Sequence, residues 1–149
     1  MKRLLSILTV LAMLFSCAAF AEDLFPLDAD GRFVLADQDD ILVYLTGNVK
    51  ASYGYLYMEA VVQNDSDSSV TIDLEDASIN GWDVYGGGIY GTNAGKKQKD
   101  NITFSLDDAD ITEVSEITDL DFKVKSTTVT LMTSCSLRIR SFWSPLKAL

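Results

Sequence analysis

The sequence predicts an all-β chain, an antiparallel β-sandwich of about seven or eight short strands in one domain. Three observations carry that expectation. Runs of β-branched and aromatic residues recur at roughly ten-residue spacing, bounded by Gly, Asn, Asp or Ser. Several runs alternate apolar and polar residues, as a strand with one wet face requires. Almost no stretch sustains the helical period.

The elements follow in order. Met1-Lys2-Arg3 is a short basic start, residues 4–20 are almost wholly apolar, and Ala19-Phe20-Ala21 offers small residues at a cleavage site. That layout predicts a signal peptide over residues 1–21, a domain over 22–149 beginning at Glu22, and a secreted or envelope location. Leu14-Phe15-Ser16-Cys17 is a rival cut, a lipoprotein-like box with a bulky Phe15, which would lipidate Cys17 and bring the only expected membrane contact. After cleavage at Ala21 only Cys135 remains, so the monomer can form no internal disulfide.

Residues 24–27 and 32–35 read as strands around the turn Asp28-Ala29-Asp30-Gly31, and residues 41–45 as a strand ended by Thr46-Gly47-Asn48. Residues 53–63 form the longest candidate, with Tyr55, Tyr57, Glu59 and Val61 on one face and the apolar Leu56, Met58, Ala60 and Val62 on the other. Residues 64–69 are a polar turn, residues 70–74 alternate strictly, and residues 77–79 run into Asn80-Gly81, the strongest hairpin dipeptide present. Residues 82–85 read as a short strand, and the glycines from Gly86 to Gly95 as a flexible stretch around Ile89-Tyr90. Residues 102–106 and 119–125 alternate again. Between them Ile111, Val114 and Ile117 suit a helical turn or two, or a loop tucked under the sandwich.

Composition narrows function. The chain of 149 residues has 22 acidic and 12 basic side chains, a net charge of −10, no histidine and 48% hydrophobic residues. It is too apolar for an acidic disordered chain. It lacks the basic stripe a nucleic-acid surface needs, so no nucleic-acid partner is expected. Without histidine, Ser-His-Asp and Cys-His catalysis and imidazole zinc sites are excluded. An enzyme would need paired carboxylates in a cleft, and none can be argued from the pattern. No enzyme and no cofactor are expected.

All 22 acidic residues lie between Glu22 and Asp121, and the tail holds Lys123, Lys125, Arg138, Arg140 and Lys147. Three readings of that tail stay open: a basic final strand over 129–139 paired into an acidic sheet, a basic arm for anionic envelope polymers or lipids, or the product of a reading-frame change after about Val124. The structure of residues 126–149 is accordingly an open expectation.

The runs Gln63-Asn64-Asp65-Ser66-Asp67-Ser68-Ser69-Val70-Thr71-Ile72, Asp76-Ala77-Ser78-Ile79-Asn80-Gly81, Ala94-Gly95-Lys96-Lys97 and Ile102-Thr103-Phe104 carry a resemblance. Over about residues 40–125 the chain is similar to small exported bacterial proteins with an immunoglobulin-like β-sandwich, many of them uncharacterised. The resemblance implies an immunoglobulin-like fold, an extracellular or envelope-facing place and a non-catalytic role. It carries over no site residue.

Candidate sites remain. Asp65, Asp67, Asp73 and Asp76 are spaced somewhat like a calcium loop, but Val70 stands where that loop needs glycine and Asp76 replaces its glutamate. A solvated turn is expected there, with weak calcium binding as the alternative; the same holds for Asp28 to Gly31, for Asp37, Asp39 and Asp40, and for Asp107, Asp108 and Asp110. Residues 91–97 lack the spacing of a phosphate loop and read as a turn. Tyr53, Tyr55 and Tyr57 at period two could stack on a sugar or pack a partner protein, and Trp82, Tyr85 and Tyr90 form a second aromatic group beside the glycines. The expected function is a binding or structural module at the envelope or outside the cell, with an unknown protein or glycan partner.

Overall fold

A computed structural model describes residues 25–126 and 132–138. The expected signal peptide, Cys17, Glu22 and the chain end after Arg138 lie outside the described residues.

The chain is an all-β antiparallel sandwich. Its strands are β1 (Phe33–Gln38), β2 (Ile41–Ser52), β3 (Tyr55–Asn64), β4 (Val70–Ile79), β5 (Trp82–Asp83), β6 (Gly86–Gly87), β7 (Ile89–Thr92), β8 (Lys96–Ser105), β9 (Asp119–Ser126) and β10 (Met132–Arg138). Sheet A runs β1-β2-β3-β8-β6, and sheet B runs β10-β9-β4-β5 with β7 also on β4. Two of the ten described strands, β5 and β6, are only two residues long.

Tight turns set the registers. Asp39-Asp40, Tyr53-Gly54 and Asn80-Gly81 each carry positive φ at both residues. Each joins strands whose flanking residues pair directly: Gln38 with Ile41, Ser52 with Tyr55, and Ile79 with Trp82. That is the geometry of the two-residue turn whose twist matches antiparallel strands. Only the third was expected. Tyr53, read as the first residue of a strand, belongs to a turn instead, because Gly54 beside it accepts positive φ without cost.

Strand β2 does not stop at Thr46-Gly47-Asn48. Gly47 takes φ 87° and the register slips between Leu45, opposite Ala60, and Val49, opposite Met58, so three residues bulge against Glu59 and the strand continues. Residues 24–27 form no strand over their described part, yet Phe25 is buried with its ring centroid 5.3 Å from that of Phe33.

The two sheets meet through their alternate residues. Leu56, Met58, Ala60 and Val62 of β3 and Ile102 and Phe104 of β8 face Ile72, Ile79, Leu120, Phe122 and Val124 of sheet B across one apolar core. Phe104 and Phe122 stack tilted at 5.2 Å between the sheets, a geometry that adds to their burial. Residues 107–109 and 114–116 each make one 3₁₀ turn, and the loop buries Ile111 and Ile117 at the core margin. The helical-turn and tucked-loop expectations therefore both describe this segment.

The glycine-rich stretch is a crossing between sheets. Gly86-Gly87 pairs with Phe104 and Thr103 in sheet A, whereas Ile89 and Thr92 pair with Ile72 and Val70 in sheet B. Between them Gly88 passes so close to β4 that a Cβ would overlap the carbonyl oxygen of Ile72. Glycine is demanded by that backbone approach.

On sheet B, Asp73 stands opposite Lys125 and Glu75 opposite Lys123. Lys125 Nζ lies 2.7 Å from Glu75 Oε1, and Lys123 pairs with Asp76. Hydrogen bonds to these carboxylates hold both ammonium groups above the usual lysine range. Two of the five tail cations thus neutralise acids on β4. Strand β10 extends the edge, pairing with β9 from Met132 opposite Lys125 to Arg138 opposite Asp119.

Candidate functional site

The outer face of sheet A is built by the parity of β3. Its inward residues enter the core, so Tyr55, Tyr57, Glu59, Val61 and Gln63 stand on the opposite face. Tyr55 and Tyr57 have ring centroids 6.3 Å apart, tilted by 54°. Lys50, directly opposite Tyr57 on β2, places Nζ 5.2 Å from its ring centroid, within reach of the ring quadrupole. Tyr53 is 95% exposed at the hairpin tip. The structure therefore brings Tyr55 and Tyr57 together on the sheet, with Tyr53 at the adjoining turn.

Sequence reasoning missed what the β2 bulge does. It aims Thr46 and Asn48 at Glu59: Thr46 Oγ1 donates to Glu59 Oε1 at 2.7 Å and Asn48 Nδ2 donates at 3.0 Å, with Lys99 Nζ 3.6 Å away. The Thr46 hydroxyl foremost, then Asn48 and the charge of Lys99, hold the Glu59 carboxyl below its usual range against the opposing effect of burial. Thr46-Gly47-Asn48, read as a strand stop, was the only local signal.

Beside the tyrosines a shallow cleft of about 350 Å³ opens between Ser52, Tyr53 and Gly54 and the loop bearing Asp107, Ile111 and Thr112. The Asp107 carboxylate packs against Gly54, where a Cβ would collide with it. The Asp107 side chain is free to swing aside, and it is the positive φ of 76° at Gly54 that favours glycine at the second turn position.

The second aromatic group is not one cluster. Trp82, Tyr85 and Tyr90 are exposed by 64%, 60% and 65%, but among the described residues they share no ring contact. Trp82 pairs with Ile79 at one end of β4, and Tyr90 follows Ile89, which pairs with Ile72 near the other. Seven residues of strand separate those positions, roughly 23 Å. Tyr85 lies between, its N–H donating to Asp108 Oδ2 at 2.9 Å and its carbonyl accepting from Ser105 N–H at 2.9 Å. The short strand expected over residues 82–85 is β5, over Trp82–Asp83 alone, and the strands β6 and β7 replace the flexible stretch that the glycines suggested.

Asp65 and Asp67 sit in the β3–β4 turn, and Asp73 and Asp76 on β4, with Asp76 engaged by Lys123. Among the described residues no three acidic or cysteine side chains are placed to hold one ion. The turn is organised instead by Asn64, which is fully buried: Nδ2 donates to the carbonyls of Ser68 at 2.7 Å and Thr92 at 3.0 Å, and Oδ1 accepts from the N–H and hydroxyl of Ser66. Residues 93–95 are the turn from β7 into β8, closed by Lys96 N–H donating to the Asn93 carbonyl at 3.2 Å.

No family model and no curated protein matches the chain. Among solved structures, the GAE domain of yeast GGA1 is similar at 10% identity and a TM-score of 0.34, over 70% of this chain and 95% of that one. A likeness at that level carries no argument about function.

Proposed function

We propose that this chain is an exported, non-catalytic binding module of the cell envelope or exterior whose ligand docks on the tyrosine face of sheet A. The observation that carries the reading is the adjacent pair Tyr55 and Tyr57, on a strand whose other face is locked in the core. Rings fixed by a sheet lose little freedom on binding, so their contact area converts efficiently into affinity. The basic, apolar and small-residue order of residues 1–21 supports export, with a lipid anchor at Cys17 as the alternative N-terminus. Mass spectrometry of the exported chain distinguishes a start at Glu22 from a lipidated Cys17.

Replacing both rings, Tyr55→Ser with Tyr57→Ser, tests the site. The double variant keeps the fold by circular dichroism and loses capture of glycans or proteins from the native surroundings by tenfold or more. Unchanged capture by a folded double variant refutes the reading.

A further inference from the structure

We propose that the outer face of sheet A docks an acidic glycan, an extended polymer of uronic acid residues. The proposal rests on the tyrosine-face reading and names the ligand class for it. Charge segregation carries the argument. Between Glu22 and Asp121 the sequence holds 22 acidic residues against five basic ones, Arg32, Lys50, Lys96, Lys97 and Lys99. Strand register places three of the five on the face that carries the tyrosines: Lys50 opposite Tyr57, Lys99 opposite Val61 and Lys97 opposite Gln63. All three are exposed.

The lysines of the two sheets differ in what they meet. On sheet B, Lys123 and Lys125 are each matched to a carboxylate of β4. On sheet A, the central carboxylate, Glu59, already accepts hydrogen bonds from Thr46 and Asn48 and touches only Lys99 among these cations. Lys97 has no ion pair among the described residues, and Lys50 rests over a tyrosine ring. Register also places the exposed Asp37 on this face, opposite Leu42 and so in line with Gln63. Three exposed lysines thus stand against Glu59, already engaged, and Asp37, a local excess of cations in an acidic domain that steers an anionic ligand there.

The chemistry between the lysines selects the polymer class. Strand β8 contributes Thr103 and Asn101 opposite Tyr57 and Glu59, giving hydroxyl and amide partners for sugar hydroxyls. The tyrosine rings offer flat surface to the apolar side of a pyranose, and the ammonium groups pair with carboxylates. Val61, the aliphatic residue of β3 on this side, is buried, so what β3 and β8 expose on this face is ring, hydroxyl, amide and ammonium rather than aliphatic surface. Tyr57 and Gln63, the partner of Lys97, stand six residues apart on β3. That is roughly 20 Å, longer than one sugar, so the ligand is extended.

The experiment measures binding of the full chain to polygalacturonate and to its fully methyl-esterified form, which keeps the sugar and removes the charge. Poly-glutamate and single-stranded DNA serve as comparison polyanions. The expected result is at least tenfold tighter binding of the acid form than of the ester, weakening as salt rises from 50 to about 500 mM. Lys97→Gln with Lys99→Gln removes that preference without shifting the thermal melt, and Lys50→Gln does so in part. Tyr55→Ser with Tyr57→Ser weakens both forms. Equal binding of acid and ester, or no loss in the folded lysine variants, overturns the acidic-glycan assignment while tyrosine dependence keeps the binding face. Equal affinity for poly-glutamate or DNA overturns the saccharide class. No binding of either pectin overturns the proposal, and binding that survives both tyrosine changes overturns the face itself.

Discussion

Replacing Asn64 by aspartate changes one group at the centre of the β3–β4 turn and leaves its shape intact. Asn64 is 0% exposed, and its amide donates to the carbonyls of Ser68 and Thr92 while its oxygen accepts twice from Ser66. In Asn64→Asp the ionised carboxylate meets those two carbonyls with no hydrogen to give. Each carbonyl loses its Asn64 donor and keeps a longer hydroxyl contact, from Ser66 to Ser68 at 3.2 Å and from Ser69 to Thr92 at 3.3 Å. The loss is up to about 1–3 kcal/mol each, and an unpaired buried charge adds to that. The expected loss at pH 7 is ~3–5 kcal/mol, a large share of a typical domain stability of about 5–15 kcal/mol. Burial and the facing carbonyls raise the folded-state pKa of the new carboxyl above its unfolded value of about 3.9. The protonated form is then the better tolerated one, since it can still donate once. The gap to the parent is therefore smallest below about pH 4 and widens as pH rises toward the folded pKa, by at most ~1.4 kcal/mol per unit. Urea unfolding of parent and variant at pH 4, 5.5 and 7, followed by circular dichroism, reads this directly. A gap under about 1 kcal/mol at pH 7, or one equal at pH 4 and pH 7, refutes the reasoning.

Other sites give independent outcomes. Gly88→Ala sets a Cβ into the Ile72 carbonyl and costs roughly 3 kcal/mol or more by forcing β7 off β4, visible as lost amide protection at Ile89 and Thr92. Phe104→Ala empties the inter-sheet ring pair and lowers unfolding free energy by about 3–5 kcal/mol in a denaturant titration. For Glu59, whose folded pKa is depressed by Thr46 foremost, the stabilisation is present above about pH 4.3 and lost as pH falls through the folded value. Glu59→Gln should flatten that acid limb by up to roughly 1 kcal/mol, since the group is only partly buried; an unchanged limb would count against the bulge as its cause.

Local patterns made some elements readable and left others hidden. The alternation of residues 70–74 and the Asn80-Gly81 dipeptide fix β4 and its turn because both signals act within a few residues. The Ile111 and Ile117 spacing likewise announced buried positions in an acidic loop. Tyr53-Gly54 hid its turn because tyrosine has strong strand preference and only its glycine neighbour permits the geometry. The bulge at Gly47 was hidden for a related reason: a glycine between polar residues marks a stop as readily as an insertion. Nothing near Trp82, Tyr85 or Tyr90 records that β4 holds the first and last apart, since that separation depends on pairing with a strand elsewhere in the chain. The sheet change at Gly88 is non-local in the same way.

The crossing at Gly88 bears on how this domain can diverge. In a sandwich held by side chains alone, the offset of one sheet over the other drifts as the interior residues are exchanged. Here a continuous backbone segment pairs with β8 on one side and, two residues later, with β4 on the other. The offset is written into main-chain hydrogen bonds, which are indifferent to side-chain identity. Interior aliphatic residues can then be traded for others of similar volume while the surface strands keep their positions, so the outward faces are free to change independently of the interior that supports them.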